Sequence, residues 1–158
     1  MNQTPEPTSV SGAETLAQSC DRLGIGRIQR HLFLCCDQTK PKCCSKEASL
    51  ESWDYLKRRL TELGIDSAQA SQDISVFRTK ANCLRVCQQG PILLVYPDGV
   101  WYRNVTPTAI EQILQEHILN NQPVETYRFF SHPLPQPDNS QGNSEINQQQ
   151  QGLSSPSV

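Results

Sequence analysis

Six of the seven cysteines fall into two short stretches, and their spacing is the strongest chemical signal in the chain. Cys83-Leu84-Arg85-Val86-Cys87 is a C-x3-C pair, whose two thiolates converge on one metal ion if the backbone curls as in a helical turn. The other stretch, Cys35-Cys36-Asp37-Gln38-Thr39-Lys40-Pro41-Lys42-Cys43-Cys44, carries two adjacent pairs, so at least one thiol of each can face inward. Together they offer four soft sulfur donors. Such a set suits tetrahedral zinc or an iron-sulfur cluster, and spacing alone does not separate the two. Buried free thiols and a disulfide framework are the competing structural readings. Seven thiols cannot all pair internally, no export signal calls for disulfides, and a redox C-x2-C motif does not occur. Cys20 stands apart from both groups and is assigned no role.

The elements that must position these thiols are legible around them. Arg30-His31-Leu32-Phe33-Leu34 is a strand-forming run that stops at the first cysteine loop. Ser49 is placed to cap a helix whose Leu50, Trp53, Leu56, Leu60 and Leu63 recur at three- and four-residue steps and which ends at Gly64. Ile74 to Arg78 reads as a second strand, followed by the C-x3-C segment, which Gly90-Pro91 closes. Ile92 to Tyr96, the turn Pro97-Asp98-Gly99 and Val100-Trp101-Tyr102 make a hairpin. Thr106-Pro107 starts a second helix bearing Ile110, Ile113, Leu114, His117 and Ile118. A βαβ crossover together with a hairpin requires a mixed sheet, so the fold class is α/β with helices packed on that sheet.

Composition sets the remaining bounds. The 158 residues divide into an N-terminal arm (1–26) with a short helix over Ala13 to Leu23, a folded unit (27–130), and a tail (131–158) rich in Pro, Gln and Ser that is expected to be disordered. The net charge of -2 hides a mildly basic centre, because Arg27 to Arg128 holds 13 Lys+Arg against 11 Asp+Glu. With no dense basic run, nucleic-acid binding is not expected. No stretch of 18 apolar residues and no cationic and apolar leader occurs, so a cytoplasmic protein that does not enter a membrane is expected.

In order along the chain, His31-x-Phe33-x-Cys35, Cys44-x4-Ser49, Cys83-Leu84-x2-Cys87, Gly90-Pro91, Val95-Tyr96-Pro97-Asp98-Gly99-Val100-Trp101-Tyr102 and Ile113-x3-His117 resemble the thioredoxin-like [2Fe-2S] ferredoxins over about Arg30 to Phe130. That resemblance implies a thioredoxin-like fold and one [2Fe-2S] cluster on Cys35, Cys44, Cys83 and Cys87. Eight residues separate the first two ligands, and the doubled cysteines leave Cys43 or Cys36 as substitutes in this loop, with Cys44 competing with Cys43. It also implies a one-electron carrier rather than an enzyme, served by redox protein partners, and a homodimer by analogy. No phosphate loop, catalytic triad or carboxylate pair speaks for a substrate. The alternatives are the [2Fe-2S] subunit of an NAD(P)H dehydrogenase or hydrogenase, a redox- or iron-responsive module, and a zinc protein. Such an oxidised cluster on four thiolates carries about two negative charges and gains a third on reduction. Lys40, Lys42, Lys46, Lys80 and Arg85 flank the thiols, a basic rim suited to an acidic partner face. Trp101 and Tyr102 are read as packing residues, and His31 and His117 as structural.

Overall fold

Five strands and three helices account for most of residues 14–70 and 73–134, which the computed structural model describes. Of the arm (1–26) and the tail (131–158) set apart by composition, residues 1–13 and 135–158 lie outside the described residues, while Ser131 belongs to a strand rather than to the tail. Strand β1 (Arg30–Cys35) pairs in parallel with β2 (Val76–Ala81) and antiparallel with β3 (Leu93–Tyr96). β4 (Val100–Tyr102) and β5 (Arg128–Ser131) complete a mixed sheet in the order β2-β1-β3-β4-β5.

Alternation along the strands sorts side chains onto two faces. Leu32, Leu34, Leu93, Val95, Val100 and Tyr102 form one face and are buried. Against them pack Leu56 and Leu60 of helix α2 (Lys46–Glu62) and Ile110, Ile113, Leu114 and Ile118 of helix α3 (Pro107–Gln112, continuing as a π-helical segment Ile113–Leu119). Full burial of each such aliphatic is worth about 1.5–3 kcal/mol. The opposite face carries half-buried rings, with His31 stacked on Phe33 at 4.0 Å and Phe77 edge-on to His31 at 4.9 Å.

The sequence expectations hold for β1, the hairpin and the start of α3, where Thr106 Oγ1 accepts from Ala109 N–H. Three elements differ. Helix α2 starts one turn earlier than expected: Ser45, not Ser49, is its N-cap and accepts from Ala48 N–H at 3.1 Å. The first turn, Lys46-Glu47-Ala48, is helix-forming but shows no apolar stripe, so periodicity sees the helix only from Leu50. β2 runs to Ala81 rather than Arg78, because parallel register with β1 carries it on past the apolar residues. β5 was not anticipated as a strand; its Phe129 and Phe130 are exposed and give no alternating pattern. In the arm, helix α1 (Leu16–Leu23) is capped by a Thr15/Gln18 capping box and buries no side chain, so Cys20 is exposed on it.

Candidate metal centre

Parallel pairing of β1 and β2 decides where the thiols meet. Cys35 is the last residue of β1 and lies opposite Ala81, the last of β2, so the two cysteine loops leave the same end of adjacent strands. Cross-links then hold the loops side by side: Cys36 N–H donates to Ala81 O at 2.9 Å, and Asn82 Nδ2 donates to Thr39 Oγ1 at 2.8 Å. The Cys35 sulfur packs on the second loop, 3.8 Å from Asn82 O. The Leu84 backbone N–H also reaches Cys35.

Of the expected ligands, Cys83 and Cys87 form one sulfur pair, whereas Cys35 meets Cys43 rather than Cys44. Cys83 and Cys87 Sγ stand 3.7 Å apart, both exposed. Their loop does not curl as a helical turn; Arg85 (φ 68), Cys87 (φ 55) and Gln89 (φ 50) are left-handed and fold it back on itself. Arg85 N–H donates to Cys83 Sγ at 3.2 Å. On the other side, Cys35 Sγ lies 3.7 Å from Cys43 Sγ, which is itself 3.9 Å from Cys44 Sγ. Cys36 points elsewhere, into the core, with its thiol donating to Ser49 O at 3.2 Å. Gly90 permits this packing, since a methyl group there would sit 2.6 Å from Cys43 Sγ, while Gly90 N–H donates to Cys43 O at 3.0 Å.

Among the described residues, no three His, Cys, Asp or Glu side chains gather around one point as a mononuclear site requires. The facing loops hold Cys83 and Cys87 on one side and Cys35, Cys43 and Cys44 on the other, a donor set able to supply two thiolates to each of two metals. Burial pushes the Cys35, Cys36 and Cys43 thiols up, against which the Leu84 N–H and Gln38 amide favour a Cys35 thiolate. Cys87 is raised chiefly by its hydrogen bond with Cys83, and Lys42 opposes that shift. The site is therefore asymmetric, one half desolvated and the other open to water.

Sequence reasoning missed two residues here. Gln38 is buried among three sulfurs, and only its place between the cysteines could have drawn attention to it. Asp37 ties down two of the rim cations, with Lys46 Nζ at 2.8 Å and Lys80 Nζ at 3.3 Å. The two histidines read as structural have partners in the fold: His31 Nε2 meets Thr79 Oγ1 at 2.8 Å and His117 Nδ1 meets Tyr102 Oη at 2.9 Å.

A mixed sheet with a cysteine loop after each of two parallel strands defines a small metal-binding α/β protein. Residues 25–117 match the model of the thioredoxin-like [2Fe-2S] ferredoxin. The [2Fe-2S] ferredoxin of Clostridium pasteurianum is 35% identical over 102 residues, covering 61% of this chain and 92% of that protein. The [2Fe-2S] ferredoxin of Aquifex aeolicus is 27% identical over 100 residues, covering 61% and 85%. The solved structure of the thioredoxin-like [2Fe-2S] ferredoxin from Aquifex aeolicus superimposes with a TM-score of 0.56 at 26% identity, over 68% of this chain and 96% of that one. The chain belongs to the thioredoxin-like [2Fe-2S] ferredoxin family. Its cofactor is accordingly a [2Fe-2S] cluster, and it is an iron-sulfur electron carrier.

Proposed function

We propose that one [2Fe-2S] cluster is held by Cys35 and Cys44 on one iron and by Cys83 and Cys87 on the other, within a ferredoxin unit spanning residues 27–130. The observation that carries this reading is the convergence of the two cysteine loops at the ends of β1 and β2. When bound, the cluster supplies reversible one-electron storage; the chain's residues hold it, set its surroundings and present it to partners. Cys44 precedes the α2 cap Ser45 directly, which fixes its backbone. The 3.7 Å contact between Cys35 and Cys43 favours Cys43 as the alternative ligand.

The carrier reading extends to docking. Lys40, Lys42 and Arg85 are exposed around the open half of the site, which suits an acidic face on a redox partner. The chain acts by electron exchange and turns over no organic substrate itself, and we place it in the cytoplasm. Among the described residues no helix is long and apolar enough to cross a membrane.

EPR of anaerobically purified protein before and after dithionite tests the core of the proposal. A spin-half signal that appears only on reduction supports one [2Fe-2S] cluster, and silence in both states refutes it. Single serine variants at Cys35, Cys43, Cys44, Cys83 and Cys87 then assign the ligands. Replacing a ligand shifts the signal, and an unshifted Cys44→Ser spectrum beside a shifted Cys43→Ser spectrum moves the assignment to Cys43.

A further inference from the structure

We propose that Gln38 is a positioning residue of the cluster site, whose side-chain amide directs one N–H at each of the two first-loop sulfurs and thereby raises the reduction potential. The inference rests on the ligand reading above and goes beyond it. Gln38 is only 3% exposed, so its polar end has to be satisfied inside the protein. Its Oε1 lies 3.1 Å from Ser49 Oγ, whose single proton is shared between that oxygen and Lys46 O at 2.8 Å, while the hydroxyl oxygen accepts from Asp37 N–H at 3.3 Å. With the oxygen anchored on α2, the NH2 group faces sulfur only: Cys35 at 3.7 Å, Cys43 at 3.6 Å and Cys44 at 3.5 Å.

Chemistry fixes the same orientation. Metal-bound thiolates accept hydrogen bonds and donate none, so the amide oxygen turned toward them would be repelled, whereas the NH2 group is matched. An amide NH2 carries two protons, and this loop supplies two ligands. Cys43 and Cys44 lie at nearly equal distance from Nε2, so the inference holds whichever of them ligates.

Asymmetry of the site gives the amide its importance. The exposed half, Cys83 and Cys87, has water and the Arg85 N–H as donors. The other half is less open, with Cys35 buried and Cys43 and Cys44 only partly exposed, and the Gln38 amide faces all three sulfurs. Reduction adds one electron and no proton, placing more negative charge on the sulfurs, and donors aimed at them favour that state. A low dielectric around Gln38 strengthens the effect.

Gln38→Leu keeps roughly the same volume and removes both donors. Holoprotein of this variant is expected to show the parental visible spectrum, acid-labile sulfide content and reduced EPR signal. Its reduction equilibrium against a mediator of fixed potential should move at least about tenfold toward the oxidised form, a fall of about 59 mV for one electron. Gln38→Glu, which replaces the donors with a carboxylate, should move it further in the same direction. In the parent, exchange into deuterium oxide shifts the resonance Raman bands of the iron-thiolate bonds; Gln38→Leu loses part of that shift.

A Gln38→Leu protein with a full cluster and an equilibrium within twofold of the parent overturns the proposal. If Gln38→Leu takes up no cluster, Gln38→Asn is decisive: its shorter amide withdraws the N–H groups by one methylene and must still lower the equilibrium at least about threefold. An unchanged value there overturns the proposal too. The serine variants judge the ligand reading separately, since that reading falls on unshifted EPR spectra, and the Gln38 inference falls on an unmoved potential in a protein whose EPR signal is normal.

Discussion

Lys42→Glu tests the basic rim, because Lys42 is exposed in the first loop and its charge reaches Cys87 in the second. No natural partner is needed. Reduced protein is oxidised in stopped flow by the trivalent anion hexacyanoferrate(III) and, in parallel, by the trivalent cation hexaamminecobalt(III). The substitution changes the local charge by two units. Taking a separation of about 10 Å in water, each unit pair contributes about 0.4 kcal/mol before screening. Against a trivalent reagent, screening with a Debye length of about 30 Å at 10 mM salt leaves roughly a 20-fold effect, and about 8 Å at 150 mM leaves roughly threefold. The anion should slow by these factors and the cation should quicken by the same. The ratio of the two rate constants therefore falls by about 400-fold at 10 mM and about tenfold at 150 mM, and a change in driving force common to both reagents cancels in it. Lys57→Glu and Arg58→Glu are the controls, since they lie about 16 Å or more along α2 from Lys46 and carry the same charge change. A ratio that moves equally for rim and control variants, or that ignores salt, refutes docking through the rim.

Three further perturbations test the scaffold. Tyr102→Phe removes a buried hydroxyl that meets His117 Nδ1 at 2.9 Å and accepts from Val124 N–H at 3.1 Å; a loss of about 2–4 kcal/mol is expected, seen as a drop in thermal unfolding temperature on the order of 10 °C, and a drop under about 2 °C contradicts it. Burial holds the His117 pKa below its ordinary value, against the opposing pull of Asp98, while Arg30 adds to the lowering. The unfolded chain thus takes up a proton that the folded one refuses, and stability declines as pH falls below about 6.5. His31 titrates in the same direction through burial, so His117→Gln should flatten part of the decline in denaturant midpoint between pH 7.5 and 5.5, and an unaltered slope counts against the assignment. Gly99→Ala places a methyl in a left-handed turn (φ 65) against the His132 carbonyl; it should cost at least about 1 kcal/mol and speed hydrogen exchange at His132 N–H, which donates to Gly99 O at 2.8 Å.

Much of this architecture is legible in the residues. Strand runs, the α2 stripe, the Pro97-Asp98-Gly99 turn and the Thr106 cap are local signals, each with a short-range cause. Pairing partners are not local, so β2 runs on through Lys80 and Ala81, which only the neighbouring strand identifies as strand residues. β5 escapes for the same reason: its exposed phenylalanines do not alternate, and it exists because β4 offers an edge. At the site, cysteine spacing points to two loops that the fold brings side by side but leaves Cys43 and Cys44 unresolved, since adjacent residues differ only in which way a side chain turns. Gln38 lay beyond reach because its role depends on Ser49, which the sequence assigned to the helix cap and the fold uses as an anchor for the amide.

The placement of the thiols relative to the core has a consequence for the protein without its cluster. Cys35 and Gln38 are seated in the buried scaffold, whereas Cys43, Cys44, Cys83 and Cys87 lie outside the apolar cluster formed by the sheet, α2 and α3. The core thus closes without them. Packing of the sheet against α2 and α3 therefore does not draw on those four thiols, and a chain without its cluster is expected to keep this core folded, which circular dichroism of cluster-free protein checks.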